Sequence, residues 1–169
     1  MAKRLEIDVS IADTGWTAAL GDVLETCRTA ANAAFDIAAR QELENAEVSI
    51  LLTDDIQMRD LNRDYRGKDK PTNVLSFANL DEGEVFAAGP VLLGDIAIAL
   101  GITTGEAKNE GKSFGDHLSH LVIHGMLHLL GFDHEGRADA ELMESLEIKA
   151  LAGLGIADPY KETDLAGTG

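Results

Sequence analysis

Cysteine is almost missing from this chain: one residue, Cys27, among 169. That excludes an intramolecular disulfide framework and leads us to expect a reducing, cytoplasmic setting. Long apolar runs are missing too, so no membrane span is expected. The opening stretch MAKRLEIDVS alternates instead of building an apolar core, so it does not read as a secretion signal. No internal repeat, linker or low-complexity segment breaks the chain. Positive charge is scarce: 14 Lys and Arg against 30 Asp and Glu leave a net charge of −16. Such a surface does not adhere to nucleic acid at large.

The deficit is uneven. RDLNRDYRGKDK, from Arg59 to Lys70, holds five basic and three acidic residues. It is either a local grip for a phosphate backbone or a solvated helix end. With 45% apolar residues, the length suffices for one domain with a hydrophobic core.

Periodicity orders that domain. Arg4 to Ile11 alternates as a strand, with Leu5, Ile7, Val9 and Ile11 on one face. Residues 15–39 repeat at helical spacing and are expected as one long amphipathic helix, with Trp16 and Cys27 in the core. Strand-like EVSILLT precedes a helix capped by Thr53 or Asp54, with Ile56, Met58, Leu61 and Tyr65 inward and Gly67 at its end. Strands are expected at 73–80 and 91–100, separated by the loop DEGEVFAAGP. Gly94-Asp95 suggests a bulge or a close approach. After an irregular connection come helices at about 113–130 and 138–154. Leu142, Leu146, Ala150 and Leu154 form the inner stripe of the second. Residues from about 155 to 169 are expected as a loose tail. The fold class is α/β (α+β): a single domain, a small mixed β-sheet packed on helices, and a metal site on a C-terminal helix.

That site is HGMLHLLGFDH. Of the chain's five histidines, three fall here, as His124, His128 and His134. Residues four apart on a helix project within about 40° of each other, so His124 and His128 share a side. Gly131 lets the chain turn back with His134. Three imidazoles plus an open position make a catalytic metal arrangement that suits zinc and also nickel, cobalt or copper, whereas structural sites close with four protein ligands. Metzincin proteases share the spacing but carry Glu directly after the first histidine as general base. Here Gly125 stands there, so the metal cage survives and the protease base does not. His120, one turn earlier, is either an accessory of the site or a satisfied core histidine. His117 is expected to be exposed. Asp133 either orients a ligand histidine or makes an Asx turn. No residue stands out as a general base.

HGMLHLLGFDH resembles the HGxLHLxGYDH motif of the YbeY family of bacterial endoribonucleases and rRNA maturation factors, with Phe132 in place of the usual Tyr. YRGKDKPTNVLSF (Tyr65 to Phe77), LLGDIAI (Leu92 to Ile98) and LGIADPY match in collinear order. The resemblance implies one zinc per chain, held by His124, His128 and His134. It also implies a single-strand-specific, metal-dependent endoribonuclease that matures the 3′ end of small-subunit rRNA and serves ribosome quality control. RNA and the ribosome or its proteins would be the partners. Arg66 matches a family arginine linked to activity, so Arg66 and His124 are the expected catalytic residues, with Lys68 and Lys70 as substrate contacts. From its position alone Arg66 is equally a cation closing a helix C-terminus. Thr72, Asn73 and Ser76 either hydrogen-bond in this site or stabilise the turn after Pro71. Two other readings stand beside this one: an assembly factor with a structural zinc and little cleavage, or a different metallohydrolase.

Overall fold

The computed structural model describes residues 4–39, 43–79 and 90–160. The chain runs β1 (Arg4–Ile11), α1 (Gly15–Ala19), α2 (Val23–Ala38), β2 (Asn45–Thr53), α3 (Asp55–Arg66), β3 (Val74–Ala78), β4 (Val91–Ala99), α4 (Leu100–Glu110), α5 (Phe114–Leu129) and α6 (Arg137–Gly153). Strand order is β1-β2-β4-β3. β1, β2 and β4 are parallel, and β3 pairs antiparallel with β4 at the edge. The sheet is therefore mixed, as expected from two strands in succession.

The two faces of the sheet carry unequal cores. On one, α2, α5 and α6 pack with Val48, Ile50, Leu52, Ile96 and Ile98 into the main core. On the other, Met58 of α3 meets Leu75, Ala97 and Ala99 in a smaller one. α5 is buried nearly all round, consistent with its scarcity of charge. Leu118, Ile123, Met126 and Leu127 are each fully buried, and each such side chain is worth about 1.5–3 kcal/mol in area removed from water.

The single helix expected at 15–39 is two helices. Leu20 leaves helical geometry for an extended conformation, Gly21 disfavours continuation, and Asp22 begins α2. The break lets Trp16 turn into the core independently of α2. Its Nε1–H donates to the Thr53 carbonyl over 3.0 Å, joining α1 to the end of β2. Cys27 is buried as expected, and burial pushes its thiol up to about 12. The connection expected before α5 is itself helical. α4 buries fully only Thr103 and Ala107, too little to show as an apolar stripe. In α3, Asp54 is the cap, its carboxylate accepting from the Gln57 N–H. Met58 and Asn62 point inward, while Ile56 and Tyr65 are exposed. α6 is rotated by one residue from expectation: Met143, Glu147, Ala150 and Leu151 are buried and Leu142 is half exposed. The expected loop 81–90 lies almost wholly outside the described residues.

Gly94 is both a bulge and a close approach. The β2–β4 register shifts between Glu47 and Val48. Gly94 adopts φ 142°, and a Cβ there would fall 2.1 Å from the Phe77 carbonyl oxygen. The edge strand β3 therefore lies against β4 only because this position has no side chain. Gly94→Ala is expected to lose at least about 2 kcal/mol of unfolding free energy in urea. Unchanged stability would show that the β3–β4 contact tolerates a side chain.

Candidate metal centre

α5 brings its histidines to the surface only at its C-terminal end. The helix starts at Ser113, whose hydroxyl accepts from the Asp116 N–H, and runs buried until its last turns. It closes with paired reverse bonds: Phe132 N–H to the Leu127 carbonyl and Gly131 N–H to the His128 carbonyl. That is the Schellman arrangement, and it needs a left-handed residue at its turn. Gly131, at φ 104°, supplies it. The chain folds back and His134 returns to the face that carries His124 and His128.

One ring nitrogen from each of the three lies within 4.8 Å of the others. The His124 and His128 Nε2 atoms are 3.1 Å apart. Two nitrogens on a tetrahedral zinc at 2.0–2.1 Å stand about 3.3 Å apart, so this spacing fits the ion. The His124 and His134 rings stack at 4.9 Å, and the His128 ring stands nearly perpendicular to both. His124 and His128 are half buried and His134 is exposed, leaving the cluster open on one side. Burial first, and then repulsion by His124 and His134, pushes the His128 imidazole below its usual range. The neutral ring is the form that binds a metal.

Glu147 sets the direction of His124. It is fully buried on α6, with Oε2 3.2 Å from His124 Nδ1. The proton therefore sits on Nδ1, and Nε2 turns its lone pair toward the cluster. The other carboxylate oxygen lies 2.5 Å from His120 Nε2 and accepts the Tyr160 hydroxyl at 2.7 Å. Burial alone would raise this carboxyl. The hydrogen bonds from His120, His124 and Tyr160 outweigh it and hold Glu147 below the usual carboxylate range. Burial and the Glu147 charge together push the Tyr160 hydroxyl up. The tail expected to be loose from about 155 is thus anchored through Tyr160, and Ile156 packs on the core. Residues 161–169 lie outside the described residues.

Sequence reasoning missed Glu147. The available signal was its place between Met143 and Ala150 on one helical face. Leu142 and Leu146 offered an equally good apolar stripe and drew the face one residue away. His120 belongs to the Glu147 network rather than to the three-nitrogen cluster. His117, expected to be exposed, is 4% exposed, with Nε2 2.9 Å from Glu106 Oε1. Asp133 makes the Asx turn, its carboxylate accepting from the Glu135 N–H.

Gly125 has a physical reason. A Cβ there would sit 3.0 Å from Ile96 Cγ2, so position 125 faces the sheet. A glutamate there would enter the core instead of serving the metal. The close approach lets Ser76 Oγ of β3 donate to the Gly125 carbonyl, at 3.3 Å. The Ser76 carbonyl in turn accepts from Arg66 Nη2 over 2.9 Å. One residue of β3 thus joins Arg66 to the helix that carries His124.

The basic segment divides into two parts. Arg59 pairs with Asp69, and Arg63 with Asp60 and Asp64. Among the described residues no carboxylate pairs with Arg66, Lys68 or Lys70. These three line a cavity of about 660 Å³, with Thr72 and Asn73 on its wall. A second cavity, of about 390 Å³, holds His117, His120 and His124. Asn73 and Glu106 border both, so the two cavities adjoin, and of the three clustered histidines His124 lines the second.

A single α/β domain with a three-imidazole cluster at the end of its buried helix is the class that fold and site define. Residues 10–155 match the family model described as endoribonuclease YbeY. The endoribonuclease YbeY of Azorhizobium caulinodans is 52% identical over 158 residues, covering 92% of this chain and 96% of that protein. Its counterpart in Paramagnetospirillum magneticum is 47% identical, covering 96% and 99%. A Thermotoga maritima protein solved in solution shares the fold at TM-score 0.51 and 24% identity, over 89% of this chain and 91% of that one. The chain belongs to the endoribonuclease YbeY family.

Glu147→Gln keeps the volume and weakens the acceptor. It is expected to lower zinc affinity about 10–100-fold in competition with a chromophoric chelator; unchanged affinity would remove Glu147 from the site. The pH dependence has a definite sign. Because the folded carboxyl is depressed, its stabilisation is complete above the ordinary value of 4.5 and is lost as pH falls below it. The variant should therefore lose less stability than the parent between pH 5 and the acid limit.

Proposed function

We propose that this protein is a zinc-dependent endoribonuclease that cleaves single-stranded RNA. Its substrate would be the 3′ region of small-subunit rRNA, in maturation and in ribosome quality control. The setting would be cytoplasmic, with ribosomal proteins among its partners. Relatives at about half identity carry the name endoribonuclease. The observation that carries the reading is the three-nitrogen cluster, whose His124 lines a cavity adjoining the one lined by three unpaired cations.

One zinc would be held by His124, His128 and His134, where it would supply Lewis acidity and an activated water. The remaining work falls to the chain. Arg66 spends one N–H on Ser76 and keeps the rest of its fork for phosphoryl oxygens, which gives it the catalytic role of stabilising developing negative charge. Lys68 and Lys70, as substrate contacts, add potential without fixed geometry. The acidic remainder of the surface repels RNA, so binding is confined to this part of the surface. A structural zinc would be closed by a fourth protein ligand; among the described residues no fourth His, Cys, Asp or Glu joins the cluster. Among the described residues no helix is long and apolar enough to cross a membrane.

The test is cleavage of a labelled single-stranded RNA by purified protein with measured metal content. Chelator and His128→Ala should each abolish it. Arg66→Ala should lower kcat/KM about 10–100-fold, the worth of a charged hydrogen bond of about 1.5–3 kcal/mol. Cleavage that persists in His128→Ala would belong to a contaminant and end the reading. Equal cleavage of a duplex would end the single-strand assignment.

A further inference from the structure

One exposed aromatic ring has no part in the roles assigned above. Tyr65, in the last turn of α3, is 69% exposed. Its ring is nevertheless held, standing edge-on to Phe77 of β3 with centroids 5.2 Å apart. Phe77 packs in turn against the smaller core. The two rings border a cavity of about 340 Å³, together with Leu51, Leu61, Ala97 and Asp95. That volume falls among small-molecule sites, which run from roughly 300 to 1,000 Å³.

This aromatic cavity and the cationic one share α3 and β3 as walls. On α3, Leu61 and Tyr65 border the first, Asn62 and Arg66 the second. On β3, Phe77 borders the first and Leu75 the second. Arg66 ties the walls together, because its Nη2 donates over 2.9 Å to the carbonyl of Ser76, the residue before Phe77. A cation and an aromatic face are thus fixed side by side. Their electrostatics differ. Arg66, Lys68 and Lys70 attract phosphate in one cavity. Among the described residues the single charged group lining the other is Asp95, the register partner of Phe77, and it turns phosphate away. A nucleic-acid strand carries both complements: an anionic backbone, and bases with flat apolar faces and N–H donors at their edges. The backbone suits the first cavity and a base the second.

We propose that Tyr65, fixed by Phe77, is the stacking platform for an unpaired base of the RNA strand whose phosphate Arg66 holds; this rests on the endoribonuclease reading. The base lays its face on the exposed ring at the mouth of the cavity. In a duplex each base face is covered by its stacked neighbours, so a paired strand cannot make this contact. Preference for single strands then originates at this ring. It comes with little discrimination among the four bases, since each has a π-face.

The test uses the full-length, zinc-loaded protein and labelled single-stranded RNAs, one intact and the others each with one abasic nucleotide along the strand. Cleavage gives kcat and KM, and fluorescence anisotropy before product accumulates gives affinity. Tyr65→Ala should raise KM for the intact RNA about 5- to 150-fold, the usual worth of one base on an aromatic ring. Zinc content and thermal midpoint should not change. In the parent, one abasic position should cost a similar factor. In Tyr65→Ala that position should cost nothing further, because the contact is already gone. Tyr65→Trp, which keeps a ring, should recover most of the loss. A KM within about twofold of the parent in Tyr65→Ala overturns the proposal and leaves the aromatic pair to a protein partner. So does a loss that adds to every abasic position alike, which would reduce Tyr65 to a support for Arg66. If Tyr65→Ala does not fold, Tyr65→Leu, which fills the place without a π-face, is read in its stead. A parent that binds RNA without cleaving it sinks the endoribonuclease reading, and the abasic series read by anisotropy still decides the stacking contact.

Discussion

The approach of α5 to the sheet at Gly125 is the constraint on which the site depends. Ile96 of β4 fills the space a side chain at 125 would take. At that distance Ser76 can reach the Gly125 carbonyl, which fixes the edge strand β3 beside the histidine-bearing turns. Arg66 is then held to β3 through the Ser76 carbonyl. Gly94 performs the matching service on β4, admitting the Phe77 carbonyl where a Cβ would stand. Two missing side chains, one on a helix and one on a strand, bring the cationic and imidazole groups to adjoining cavities. Distant parts of the chain thereby become neighbours without a large interface or a hinge.

The second requirement is a charge placed where charge is expensive. Glu147 is fully buried, and an isolated carboxylate there would neutralise itself instead of ionising. Donors from α5 and from the C-terminal segment keep it ionised. Its effect on His124 is directional: the carboxylate holds one nitrogen's proton and leaves the other nitrogen free for a metal. Removing one of the three donors would take away a charged hydrogen bond worth about 1.5–3 kcal/mol. Tyr160 is therefore part of the site's architecture, although it lies far along the chain from the histidines.

Legibility from sequence followed locality. The spacing of His124, His128 and His134 and the turn at Gly131 are short-range properties, and the structure brings those three rings together. Strands with clear alternation, such as 4–11, were equally plain. What escaped depends on contacts between elements. Glu147 reads as one more acid on an exposed helix until α6 is docked. Glu106 falls in a stretch with too few apolar residues to announce a helix, so its partnership with His117 could not be anticipated. His117 looked like a solvated helix start because burial of the first turn of α5 is imposed by neighbours. The break at Leu20–Asp22 was hidden by periodic alanines and leucines on both sides. Arg66, Lys68 and Lys70 were legible as a basic run. That Arg59 and Arg63 are internally paired, leaving the other three unpaired, was not.

The charge balance gives these placements their meaning. A chain at −16 cannot hold RNA by broad attraction, and each further anion near the site weakens the little that remains. Position 125 is sealed against β4, so no side chain there can add charge beside the imidazoles. Charge comes instead from other elements: Arg66, Lys68 and Lys70 border one cavity, and Glu106 of α4 borders both, its carboxylate held by Asn73 and His117. The same close packing that assembles the site therefore also leaves its charge to be set from outside α5.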